Sequence, residues 1–161
     1  MSETAADQNR ELARNWMGLL DGSLAIGTVV ELPVLSDSMM PLFGNGQRIR
    51  IKRSAWKSCR VGDIVVFSEG SRLTAHRLLF SVRFGRRAYL FQKGDANPGG
   101  HFIRSQRVVG RVIGYQDDKG RYRALDSKLA RCGARREARR QLLRSLRGCT
   151  IRLFGVRNER S

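Results

Sequence analysis

Arg77-Leu78-Leu79-Phe80-Ser81-Val82, Phe84-Gly85-Arg86 and Arg87-Ala88-Tyr89-Leu90-Phe91 run together in the middle of the chain. The two flanking stretches are apolar and aromatic and the glycine between them supplies a turn, so Phe80 to Phe91 reads as a β-hairpin. Similar runs lie on either side: Gly27-Thr28-Val29-Val30, Arg48-Ile49-Arg50-Ile51, Asp63-Ile64-Val65-Val66-Phe67 and Val108-Val109-Gly110-Arg111-Val112-Ile113. Turn residues separate them, and Asp117-Asp118-Lys119-Gly120 marks another reversal. The pattern predicts a mainly β, mostly antiparallel domain over residues 26–124.

The ends read differently. In residues 1–25, Leu12, Trp16, Leu19 and Leu20 fall on one helical face while Arg10, Glu11 and Arg14 turn elsewhere, which predicts a short amphipathic helix. In residues 125–161, Leu129, Leu142, Leu143 and Leu146 recur at helical spacing among Arg131, Arg135, Arg136, Arg139, Arg140, Arg144 and Arg147. Gly148 is the expected stop of this basic C-terminal helix. Thr150-Ile151-Arg152-Leu153-Phe154 then adds an edge strand or packs on the body.

At 161 residues the chain has the length of one domain. Its 31 Lys and Arg against 14 Asp and Glu leave a net charge of +17, which calls for an anionic partner. The Arg-rich tail makes an anionic membrane surface one such partner, each basic residue near it adding about 1 kcal/mol. Nucleic acid is the lesser candidate, because aromatic residues are only 7% and do not alternate with basic ones as a base-stacking surface requires. No apolar run reaches the roughly 20 residues that span a bilayer, and the amino terminus lacks the basic start and apolar core of a secretion signal. A cytoplasmic protein, peripheral to the membrane at most, is the expectation. Cys59, Cys132 and Cys149 are too far apart for a zinc knuckle and read as reduced and unpaired. No cofactor or metal is implied, and the oligomeric state is left open.

Three stretches of the β region carry residue types suited to one active site. Leu35-Ser36-Asp37-Ser38-Met39-Met40-Pro41 would form a turn that projects a serine hydroxyl, a poor nucleophile without a base beside it. Thr74-Ala75-His76-Arg77 places a histidine at the opening of an apolar strand, and imidazole accepts a hydroxyl proton near neutral pH. Lys93-Gly94-Asp95-Ala96-Asn97-Pro98 is a turn whose acid could orient an imidazole. Each has an ordinary structural reading: a serine in a turn, a hydrogen-bonded core histidine, a turn-capping aspartate.

Together, Ser36-Asp37-Ser38-Met39-Met40-Pro41, Gly62-Asp63-Ile64-Val65-Val66-Phe67, His76-Arg77, Lys93-Gly94-Asp95-Ala96-Asn97 and Gly110-Arg111-Val112-Ile113-Gly114 resemble, in order, the motifs of the signal peptidase I family of serine proteases. The likeness is to the archaeal and endoplasmic-reticulum branch and covers about half of the chain. It implies a coiled antiparallel β-sheet or partial barrel, a fold shared with the self-cleaving repressors. It also implies Ser38 as nucleophile, His76 as general base, Asp95 as the acid that orients the base, and the Ser36 hydroxyl as a partner of the Ser38 N–H in the oxyanion site. Met39 and Pro41 of the same turn become candidates for substrate contact.

The chain departs from the family in three places. Gly46-Gln47 stands where Gly-Asp is usual, and His101 falls where a second acid is expected, leaving Asp95 as the local acid; His101 would contact substrate or sit in an exposed loop. The missing anchor turns the expected substrate from a secreted preprotein toward a precursor or leader peptide. Two alternatives remain. A self-cleaving repressor would use a lysine base and a helix-turn-helix that the chain lacks. A non-catalytic binding module would use the positive charge to hold nucleic acid or an acidic partner.

Overall fold

Ile64-Val65-Val66-Phe67 is apolar at every position, which suits a strand covered on both faces. In the computed structural model, which describes residues 2–155 and the side chains of 11–145, it forms the first part of strand β3 (Ile64–Glu69). Alternation sends Ile64 and Val66 into one core cluster and Val65 and Phe67 into another. The first cluster joins Val30, Leu32, Ile49, Ile51, Val109 and Val112 and is covered by Leu12, Trp16 and Leu19 of helix α1 (Ser2–Leu20). The second contains Leu78, Leu90, Ile103 and Val108. Each large apolar side chain buried in this way contributes roughly 1.5–3 kcal/mol.

β3 pairs antiparallel with β4 (Arg72–Phe84) on one side and β7 (Val108–Gln116) on the other. The remaining strands are β1 (Val29–Pro33), β2 (Arg48–Arg53), β5 (Arg87–Lys93), β6 (His101–Arg104) and β8 (Tyr122–Ala124). They complete an open antiparallel sheet of eight strands in the order β1-β2-β7-β3-β4-β5-β6, with β8 beside β7. The chain is therefore mainly β with a helix at each end, as its patterning predicts. The β4–β5 hairpin turns through Gly85 at φ +56°, and the β7–β8 turn through Gly120 at φ +74°.

Three local expectations are corrected. β4 starts at Arg72, so His76 lies inside a 13-residue strand rather than at its opening. The turn at Gly70, with φ +61°, lets Arg72-Leu73-Thr74-Ala75 pair with Val66–Glu69 although two of those residues are polar. β6 and β8 are short and were not visible as apolar runs. The C-terminal helix α2 (Lys128–Gly155) passes through Gly148 and takes in Thr150–Phe154, so no edge strand forms there. A single glycine inside a helix costs only about 1 kcal/mol and does not by itself end one.

The buried face of α2 also differs from the leucine spacing. Leu129 and Leu143 are exposed, while Ala138 and Gln141 are buried. Two contacts set this face: the α2 backbone passes so close to Gly62 that a Cβ there would lie 2.7 Å from the carbonyl carbon of Ala134, and the buried Gln141 amide donates to Asp95 at 2.6 Å.

Candidate active site

Ser38 sits in a turn held at both ends. Met40 N–H donates to the Asp37 carbonyl at 3.0 Å, Leu42 N–H to the Met39 carbonyl at 3.0 Å, and Asn45 N–H to the Asp37 carboxylate at 2.9 Å. Met39 and Phe43 are buried in the first core cluster and anchor the turn. The hydroxyls of Ser36 and Ser38 are 3.3 Å apart.

The Ser38 turn docks directly on the Lys93-Gly94-Asp95-Ala96-Asn97 turn, where Ala96 N–H donates to the Ser38 carbonyl at 3.0 Å. Glycine is required at this junction, because a Cβ at Gly94 would meet the Ser38 carbonyl oxygen at 2.6 Å. A cavity of about 540 Å³ opens beside Ser38. It is lined by Ser36, Ser38 and Met39 on one side and by Arg72, Leu73, Thr74 and Ala75 of β4 on the other, with Trp16 of α1 on its wall. The cavity thus joins the serine turn to the strand that carries His76, but His76 itself does not line it, and the Ser38 hydroxyl has Ser36 rather than the imidazole as its hydrogen-bond partner. Pro41 instead lines a separate cavity beneath α2, so of the two proposed substrate contacts only Met39 borders the space beside Ser38.

His76 is buried at 7% exposure, and its ring packs edge-on to Phe67 at 6.0 Å between centroids. Its Nδ1 is 2.5 Å from Oε1 of Gln92, which is itself fully buried in β5. An amide oxygen only accepts, so this orientation of Gln92 calls for the proton on Nδ1 and leaves the Nε2 lone pair as the basic position. Burial pushes the His76 pKa below the ordinary 6.5, with the His101 ring acting in the same direction. The Gln92 hydrogen bond and the charges of Glu69 and Asp95 oppose that shift.

Asp95 is placed differently from the sequence expectation. Its carboxylate takes Arg77 Nε at 2.8 Å and Nη2 at 2.5 Å, and Gln141 Nε2 of α2 at 2.6 Å. The pair is sealed, with side-chain exposures of 5% for Arg77 and 7% for Asp95. Strand alternation explains the outcome: His76 and Arg77 are consecutive in β4 and point to opposite faces. Arg77 faces Asp95 and α2, and His76 faces Gln92. Asp95 therefore acts on the imidazole only through its charge at a distance, and Gln92 is its hydrogen-bonded partner.

The network on the His76 face continues outward. Gln92 Nε2 is 2.7 Å from His101 Nε2, which lies 3.3 Å from Glu69 Oε1, and Thr74 donates to Glu69 Oε2 at 3.0 Å. Gln92 and Glu69 lie outside the motif stretches of the sequence, and Thr74 belongs to one only as a neighbour of His76. A polar residue in the apolar run Tyr89-Leu90-Phe91-Gln92 was the available signal, since a buried amide demands a partner.

Cys59 and Cys132 are free thiols, and burial together with the Asp63 charge pushes Cys59 up to about 12, out of the nucleophilic range. Cys149 lies outside the residues with described side chains. Among the described residues no group of three His, Cys, Asp or Glu side chains is placed to hold a metal, and no helix is long and apolar enough to cross a membrane. No protein-family model matches the chain, and no curated protein matches it either.

Proposed function

We propose that the chain is a serine endopeptidase that cuts a specific precursor or leader peptide through an acyl-enzyme. Ser38 is the nucleophile in this reading and His76 Nε2 the base that takes its proton. The Ser38 N–H and the Ser36 hydroxyl would meet the developing oxyanion. The observation that carries it is the buried His76 ring, its Nδ1 facing the Gln92 amide oxygen, on the strand that borders the cavity of Ser38; in this reading Gln92 holds the tautomer a general base needs. An amide holds the tautomer but adds no full negative charge, so the imidazolium gains less than it would from a carboxylate. The order of motifs along the chain supports the same assignment.

The setting we propose is the cytoplasm, with the exposed Arg135, Arg136, Arg139, Arg140 and Arg144 of α2 facing an anionic membrane or substrate. The same arginines favour a second reading, a non-catalytic module that binds nucleic acid or an acidic partner. Incubation with a diverse peptide pool, with new termini mapped by mass spectrometry, separates the two. Cuts made by the unaltered protein and lost in both Ser38→Ala and His76→Ala are expected. Cuts that persist in both variants, or none at all beside salt-dependent nucleic-acid binding, would overturn the protease reading.

A further inference from the structure

We propose that His101 is a positioning residue: acting through Gln92, it selects which ring nitrogen of His76 carries the proton. The meaning of this for catalysis rests on the Ser38–His76 reading above.

The argument is one of hydrogen-bond polarity along a line of three side chains. Gln92 is fully buried and has one accepting end and one donating end. In the structure the oxygen faces His76 Nδ1 and the nitrogen faces His101 Nε2, at 2.5 and 2.7 Å. A donor at Gln92 Nε2 requires a lone pair on His101 Nε2. While that lone pair is present, the Gln92 oxygen stays on His76, Nδ1 keeps its proton and Nε2 is free to act as base.

The opposite arrangement follows if position 101 presents a donor. Two N–H groups would then oppose each other, and half a turn of the Gln92 amide relieves the clash. That turn brings Gln92 Nε2–H to His76 Nδ1, moves the ring proton to Nε2 and removes the lone pair that Ser38 needs. The choice is poised, because Glu69 Oε1 lies 3.3 Å from the same His101 nitrogen and favours a donor there. Glu69, on β3, is the ionisable group in hydrogen-bond range of His101, whereas Arg77 and Asp95 are paired on the other face of β4. His101 is half exposed, so the outer end of this line is open to solvent while His76 and Gln92 are not.

The chain has only two histidines, so ¹⁵N-detected imidazole spectra need no elaborate assignment. Spectra are taken in mildly alkaline solution, well above the ordinary histidine pKa of about 6.5. The unaltered protein and His101→Glu, a permanent acceptor, are expected to show His76 protonated at Nδ1. His101→Arg, a permanent donor, is expected to show the proton on Nε2. On any peptide the unaltered protein cuts, the arginine variant should lose at least about a hundredfold in rate, the wrong tautomer costing about 10⁴ in a serine triad. Adding Gln92→Glu to His101→Arg supplies an acceptor that cannot reverse, and should restore the Nδ1 proton. A purely structural role for His101 would not produce this donor–acceptor contrast. An Nδ1 proton in folded His101→Arg would overturn the proposal, as would an Nε2 proton in the unaltered protein. The spectra need no substrate, so they decide this point whether or not the peptide-pool experiment finds a protease.

Discussion

Replacing Asp95 by alanine would leave Arg77 as a buried cation without its counter-ion. The guanidinium is 5% exposed and keeps only its bond from Nη1 to the Gly62 carbonyl at 3.0 Å, while the Gln141 amide that donated to Asp95 at 2.6 Å also loses that acceptor. Breaking a sealed pair in this way costs about 3–5 kcal/mol. Against a total stability of about 5–15 kcal/mol, and at about 2–4 °C per kcal/mol for a chain of this size, the melting temperature should fall by about 6–20 °C. Urea unfolding with linear extrapolation measures the change directly. The double variant Arg77→Met with Asp95→Leu removes both charges and should recover most of the loss, giving a coupling energy of several kcal/mol. Activity separates this role from that of a triad acid. Below the melting transition the rate of Asp95→Ala should stay within about tenfold, because Gln92 still fixes the His76 tautomer. The acid limb should move slightly lower, because a charge that raises the His76 pKa has been removed. A stability loss under about 1 kcal/mol, a double variant no better than the single ones, or a fall in rate near 10⁴ would refute the reasoning.

Three further outcomes are expected. Cleavage should decline on acidification through the His76 pKa, which lies below 6.5; because the unfolded chain takes that proton first, His76 also makes stability fall as pH drops below about 6.5, a dependence absent in His76→Phe unfolding curves. Gly94→Ala should lower kcat/KM by at least about tenfold while the fold persists, since its Cβ would push on the Ser38 carbonyl from 2.6 Å and shift the nucleophile; steady-state kinetics and circular dichroism on the same sample test this. Iodoacetamide on the native protein should label Cys132 and spare Cys59, whose thiol is held near 12, and peptide mapping that finds Cys59 alkylated would contradict its burial.

The fold was legible where local pattern and burial agree. Ile64-Val65-Val66-Phe67 reads as a β-branched run and is a strand buried on both faces, and the Phe80–Phe91 hairpin carries its own glycine turn. β6 and α2 were harder to read. His101–Arg104 is a strand because it borders β5, not because of its residues, and α2 is positioned by the space above Gly62 rather than by its leucines.

The candidate site divides along the same line. In the sequence Ser38, His76 and Asp95 each have an ordinary structural reading, and they became candidates for one site through the ordered motifs that resemble those of a protease family. The sequence could not assign their partners. That depended on the two faces of β4: one residue of register sends His76 to Gln92 and Arg77 to Asp95, and side chains adjacent in sequence end on opposite sides of a sheet. Gln92 enters the site because β5 places it beside His76, and His101 because β6 places it beside Gln92. Residue chemistry is local and was carried by the chain itself, whereas the direction of each hydrogen bond was decided by strands far apart in sequence and could be settled only by tertiary structure.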